Sequence, residues 1–88
     1  MPYIKQEYRQ IYDEVLNQLD TKDFQNKGDL EYCIFKLMLI FMQNKDWNYS
    51  SLHDAVYASQ HCSDEFRRRF LDERENEARQ RNGDIYGS

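Results

Sequence analysis

The chain has 88 residues, of which 40% are hydrophobic, 15% aromatic and 32% charged, and its net charge is −4. This composition is typical of one small globular domain over residues 1–88 and excludes a disordered chain. A negative net charge argues against general nucleic-acid binding, which needs cations to displace the counterions of phosphates. We therefore expect no nucleic-acid partner.

The hydropathy pattern predicts neither a membrane span nor a signal peptide. The longest apolar run covers residues 32–42 and is interrupted by Lys36, whereas a spanning helix needs about 20 apolar residues. The first ten residues lack the apolar region of a signal peptide. We expect a cytoplasmic protein with no membrane partner, in which Cys33 and Cys62 are reduced.

The first predicted helix runs over about residues 5–19, because its apolar residues recur with the period of one helix face. This stripe consists of Tyr8, Ile11, Tyr12, Val15 and Leu19. Residues 20–29 break the period and are predicted to form a loop, in which Phe24 is a candidate to fold back onto the core.

The second predicted helix covers about residues 29–45, with Asp29 at its start as a cap that also complements the helix dipole. Its centre is apolar on every side, so it must be covered on every side. The two other helices of so short a chain cannot cover the whole apolar surface of the second helix. We therefore expect a homo-oligomer interface at Phe35, Leu39 and Met42.

An alternative to self-association is that aromatic residues of the loops cover the second helix within one chain. The candidates for this cover are Phe24, Trp47 and Tyr49. The two alternatives differ in whether the chain needs a second molecule to complete its core.

The third predicted helix covers about residues 51–81 and is followed by a tail at 82–88. Ser51 and Asp54 resemble a capping box at its start. The apolar stripe stops after Leu71, and acid-to-base pairs spaced four residues apart are expected to keep the rest helical in solvent. Asn82-Gly83 is a typical helix stop. The pattern leaves open whether the tail docks or frays.

The sequence offers no catalytic or metal-binding constellation, so we expect neither an enzyme nor a cofactor. His53 and His61 are two helical turns apart, about 12 Å along the axis, too far to share one metal ion. Cys62 falls on the predicted core stripe and is expected to be a packed thiol. No base for a nucleophile and no glycine-rich phosphate loop can be identified.

The segment 65–74, "EFRRRFLDER", is the most distinctive local cluster. Arg69 lies near the edge of the apolar face and can hold its guanidinium group at a groove, where it suits planar recognition of carboxylate or phosphate. Arg68 is expected to point away. Alternatively, Asp64 and Glu65 neutralise Arg68 and Arg69 at a spacing of four residues and leave a salt-bridged surface.

Four segments together resemble a family of short phage and prokaryotic proteins of unknown function. They are "MPYIKQE" at the start, "GDLEYCIFKLM" in the middle, "EFRRR" late and "NGDIY" at the end. Members of the family often carry Pro-Tyr where this chain has Glu73-Arg74, so a shared geometry of the last helix is not implied. The resemblance implies a small cytosolic protein, phage-encoded, with no assigned activity.

Within the matching segments, polar and aromatic residues outside the core stripe are candidates for a ligand-binding or partner-binding surface. These candidates are Tyr3, Arg68, Arg69, Asn82, Asp84 and Tyr86. Alternatively, these residues are structural, and the tail packs against the N-terminal segment "MPYI".

Taken together, the sequence predicts an all-α fold, either a three-helix bundle or a helical hairpin with a long, partly projecting C-terminal helix. The favoured function is a non-enzymatic interaction or regulatory protein that binds a host protein. The second hypothesis is an oligomer that sequesters a small anionic ligand such as a nucleotide signal. An enzyme is the third and least favoured hypothesis.

Overall fold

The computed structural model describes residues 3–20, 22–83 and 85, and it confirms the all-α prediction. The described residues contain no strand. The elements are α1 (Gln6–Leu16), α2 (Lys27–Met42), α3 (Tyr49–Phe66), a π-helical segment (Arg67–Leu71) and α4 (Asp72–Asn82). The last three run on without a break, so one long C-terminal helix follows the two shorter ones.

The bounds of α1 and α2 differ from the expected ones because local hydrogen bonds begin and end the helices. α1 ends at Leu16, after which the amides of Gln18 and Leu19 bond three residues back in tight turns. α2 begins two residues earlier than expected. The Asn26 side chain caps it and forms a capping box with Asp29, which therefore lies in the first turn.

The start of α3 also corrects the predicted cap. The side-chain oxygen of Asn48 accepts a hydrogen bond of 2.9 Å from the backbone N–H of Ser51, so Asn48 is the cap and the predicted Ser51–Asp54 box is wrong. Asparagine is at least as good a cap as serine. The helix consequently begins at Tyr49, two residues before the expected position.

The C-terminal helix has the predicted character of a solvated arm. No residue of α4 is buried, and the helix ends where Gly83 adopts a φ of 84°, which confirms the predicted glycine stop. The π segment before α4 was not expected. There the N–H of Asp72 bonds to the carbonyl of Arg67 five residues back, and such insertions in α-helices are often found at functional sites.

α2 and α3 pack against each other as a hairpin, and they hold the two buried apolar residues of the described chain, Met42 and Ala55. α1 stands apart, since none of its residues lies within 8 Å, Cα to Cα, of another described helix. The radius of gyration is 17.2 Å, whereas a compact chain of this length has about 12 Å. The fold is therefore a helical hairpin with α1 and α4 extending from it.

The accessible surface shows how much apolar area this arrangement leaves uncovered. The chain exposes 8468 Å², whereas a compact monomer of this mass exposes about 5,500 Å². The surplus of roughly 2,900 Å² is comparable with the area that one subunit covers in an extensive obligate interface. The apolar stripe of α1 contributes to it, because Tyr8, Ile11, Tyr12 and Val15 are all exposed.

The three residues expected at an oligomer interface have different environments. Phe35 is 62% exposed and Leu39 is half-buried, but Met42 is only 2% exposed. Met42 is thus covered by its own chain, which corrects the expectation for this residue. Of the loop aromatics expected as an alternative cover, Trp47 and Tyr49 are exposed, whereas Phe24 is half-buried.

Candidate functional site

A long apolar groove of about 830 Å³ lies between α2 and α3. One wall is a single face of α2, formed by residues that recur with helical spacing. These are Leu30, Ile34, Leu37, Met38 and Phe41. The central helix is apolar on every side, so α3 covers part of it and leaves this part as a groove wall.

The opposite wall belongs to α3 and is made largely of small side chains. These are Ala55, Ala58, Ser59, Cys62 and Ser63. Small residues leave the space between the two helices open. Cys62 lines the groove and is exposed, so the expected packed thiol is wrong for this residue, and both cysteines are free.

Phe66 and Leu71 close the end of the groove where α3 passes into the π segment. Arg67 is the charged residue in the lining, and its side chain forms no hydrogen bond or ion pair with another described residue. The rest of the lining is almost entirely apolar. Such a site is suited to an apolar helix face and lacks a pair of groups for acid–base or nucleophilic chemistry.

A second cluster lies close to this end of the groove and joins Tyr3 to the end of α3. The Tyr3 hydroxyl donates to Glu65 Oε1 at 2.8 Å and accepts a short hydrogen bond from Arg69 Nη2. Arg69 Nε donates to the same carboxylate oxygen at 2.6 Å. Arg68 donates to both oxygens, Nη2 to Oε1 at 2.6 Å and Nε to Oε2 at 3.3 Å.

The electrostatics of the Tyr3–Glu65–Arg68–Arg69 cluster follow from these bonds. The hydrogen bonds from Arg68, then Arg69 and Tyr3, lower the pKa of Glu65 to about 2 from the ordinary 4.5. The same carboxylate raises the pKa of each arginine. The guanidinium carbon of Arg69 also lies 5.5 Å from the centre of the Tyr3 ring, within cation–π range.

A family model described as a domain of unknown function, DUF6899, matches residues 1–85 of the chain. The chain belongs to the DUF6899 family. This agrees with the resemblance to an uncharacterised family. Comparison with curated proteins and with solved structures found no match.

In this DUF6899 chain, three of the six predicted binding residues come together, namely Tyr3, Arg68 and Arg69. Asn82 lies at the end of α4, 13 residues after Arg69 and thus about 20 Å away along the helix. Asp84 and Tyr86 lie outside the described residues.

Glu65, the centre of the cluster, was predicted only as the partner of Arg69. Arg68 bonds to Glu65, three residues earlier, rather than to the expected Asp64. The signal in the sequence was the spacing itself, because a helix places the residues three and four positions after Glu65 next to it. A contact with Tyr3, 62 residues away in the sequence, has no such local signal.

A third feature of the DUF6899 chain is a row of aromatic rings along α3. Tyr49, His53, Tyr57 and His61 follow one another with ring centres 5.2, 4.0 and 5.9 Å apart. Among the described residues, no group of three or more His, Cys, Asp or Glu side chains is placed to hold a metal ion. None of the described helices is long and apolar enough to cross a membrane.

Proposed function

We propose that this DUF6899 protein is a non-enzymatic interaction protein whose groove between α2 and α3 receives an amphipathic helix of a protein partner. The observation that carries the proposal is the groove itself, which is long, open and lined almost entirely by apolar side chains. Recognition of a helix in a groove uses apolar anchors at helical spacing along such a wall.

The partner we propose is a host protein, and the biological setting is a phage protein that acts in the host cytoplasm. The net charge of −4 does not favour nucleic acid as the partner. Arg67 at the end of the groove provides a cation for an acidic residue on the bound helix. The protein is a homo-oligomer before it meets its partner, and its surplus accessible surface supports this assembly.

Site-specific photo-crosslinking tests the proposal. A photoreactive phenylalanine analogue is placed at Leu37 in the groove, and the matched control carries it at Glu75 in α4. In bacterial cells we expect adducts with a second protein from the Leu37 position only. Mass spectrometry should then locate the crosslink on an amphipathic helix.

A synthetic peptide of the crosslinked segment completes the test. It should bind the purified protein, and Ile34→Glu in the groove wall should abolish binding, whereas Gln80→Glu in α4 should not. Adducts formed equally from both positions, or adducts with this chain alone, would refute a host-protein partner in the groove.

The second candidate function is the capture of a small anionic ligand such as a nucleotide, supported by the convergence of Arg68, Arg69 and Tyr3. An anion at this place has to compete with the Glu65 carboxylate, which already binds both guanidinium groups. A thermal-shift screen of nucleotides tests it. A nucleotide that raises the melting temperature of the wild-type protein but not that of Arg69→Ala would support anion capture. No rise with any nucleotide would refute it.

A further inference from the structure

We infer that, in the protein alone, the groove of one copy is occupied by α1 of a second copy, and that the exchange is reciprocal. This inference rests on the proposed role of the groove as a helix receptor and identifies a partner that is always available. Each copy then contributes one helix and one groove, and both contacts are identical by twofold symmetry.

The first observation is that α1 and the groove are unpartnered in the same chain. The apolar residues of α1, Tyr8, Ile11, Tyr12 and Val15, are spaced as the anchors of a helix that binds in a groove. None of them is covered, and α1 approaches no other described helix. A helix of this length depends on packing of its apolar face for stability.

The dimensions of the two surfaces agree. α1 has 11 residues and is thus about 16 Å long. The α2 wall extends from Leu30 to Phe41, which is also about 16 Å along a helix. The small residues of the α3 wall, such as Ala58 and Ser59, leave room for the aromatic rings of Tyr8 and Tyr12.

Charge complementarity points in the same direction. The polar face of α1 carries Glu7, Asp13 and Glu14 against a single arginine, Arg9. The charged residue at the groove, Arg67, is a cation without an ion-pair partner among the described residues. An acidic helix beside Arg67 supplies that partner.

The Tyr3–Glu65–Arg68–Arg69 cluster holds the chain just before α1 at the end of α3. Tyr3 bonds to Glu65, and α1 begins only three residues later, within about 10 Å of chain length. α1 nevertheless approaches no other described helix, so its apolar face stays open to another molecule.

The surplus surface is more than large enough for such an exchange. Roughly 2,900 Å² per chain beyond a compact monomer amounts to about 5,800 Å² for two chains, above the total buried in most obligate interfaces, so the exchange has to cover only part of it. A host helix that enters the groove has to displace the α1 helix of the second copy. Partner binding is therefore coupled to separation of the dimer.

Mixing two variants tests the reciprocal exchange. Ile11→Glu damages α1 and Leu37→Glu damages the groove, so each variant alone should have the mass of one chain, 10.8 kDa. In an equimolar mixture one intact α1 meets one intact groove, and we expect the mass to rise toward twice that value. Circular dichroism verifies that both variants remain helical.

A disulfide experiment keeps the inference testable if a charged variant fails to fold. Cys33→Ser leaves Cys62 in the groove as the only cysteine, and Tyr8→Cys, Ile11→Cys or Val15→Cys adds one on the apolar face of α1. With oxidised glutathione we expect a disulfide-linked dimer from at least one variant. Asp13→Cys on the polar face is the matched control, and adding Cys62→Ser should abolish the link.

Several results would overturn the inference. They are a mixture that stays at the mass of one chain, variants that remain dimeric when tested alone, and a disulfide formed within one chain. Host-protein adducts from Leu37 together with a monomeric protein would leave the proposed function standing without the exchange. Adducts between two copies of this chain, together with a dimer in solution, would support the exchange and refute a host-protein partner in the groove.

Discussion

α1 and α4 are helices of equal length, 11 residues each, and both extend from the hairpin, yet they depend on their surroundings in opposite ways. α1 has an apolar stripe that is exposed and that no other described helix covers. α4 has no apolar stripe and is rich in charged residues, including the Arg74–Glu77 pair at 3.6 Å. A helix with an exposed apolar stripe requires a partner, whereas a charged helix without such a stripe is stable in water on its own.

The largest expected effect comes from placing a charge on the apolar face of α1. Ile11→Glu should weaken self-association by at least a hundredfold, because an unpaired charge buried at an interface costs about 3–5 kcal/mol. Analytical ultracentrifugation measures the change in dissociation constant. Gln80→Glu on α4 is the matched control and should leave it unaltered. Equal effects of the two substitutions would remove the distinction between the helices.

The next effect concerns the hairpin to which both helices are attached. Asn26→Ala removes the side-chain cap of α2 and should cost about 1 kcal/mol. At a fixed protein concentration the melting temperature should fall by about 4–8 °C, because α2 belongs to the packed part of the chain. An unchanged melting temperature would show that the start of α2 unfolds separately from the hairpin.

The contact between Tyr3, just before α1, and the C-terminal helix is tested through the pKa of Glu65. Glu65 has a pKa of about 2, so the contribution of this carboxylate to stability is complete above about pH 4.5 and is lost as the pH falls toward 2. Carbon-detected NMR of the Glu65 carboxyl group should show this low pKa. Arg69→Gln should raise it toward the ordinary 4.5, and Lys27→Gln, remote in sequence, should not. Because Arg68 remains in place, only part of the shift should be lost, and a pKa unchanged from that of the wild-type protein would mean that Arg69 does not hold the carboxylate.

The smallest effect is expected in α4. Glu77→Ala breaks the exposed pair with Arg74 and should cost about 0.2–0.5 kcal/mol. Because α4 is not packed against the hairpin, this loss should appear as faster amide hydrogen exchange within α4 alone. A fall in the global melting temperature would instead indicate that the arm is coupled to the core.

Periodicity in the sequence was sufficient for much of the fold. The stripe of α1, the all-apolar centre of α2 and the stop at Gly83 could each be predicted from neighbours along the chain. Helix starts were harder, because several polar residues near each start compete for the same backbone amides. Asn48 rather than Ser51 caps α3 for this reason.

The candidate site could be predicted only where it depends on helical spacing. The pairing of Glu65 with Arg69 was predicted, whereas the contact of Glu65 with Tyr3 joins distant parts of the chain. The groove depends on which faces of α2 and α3 turn toward each other. The sequence alone therefore did not show that Met42 would be buried while Leu37 would stay open.

The mass of the wild-type protein in solution tests the central claim most directly. Light scattering coupled to gel filtration at micromolar concentration should give about twice the 10.8 kDa of one chain. That result is expected if α1 and the groove cover each other between two copies. A mass of one chain over the whole concentration range would contradict it, because the apolar stripe of α1 would then be stable in water.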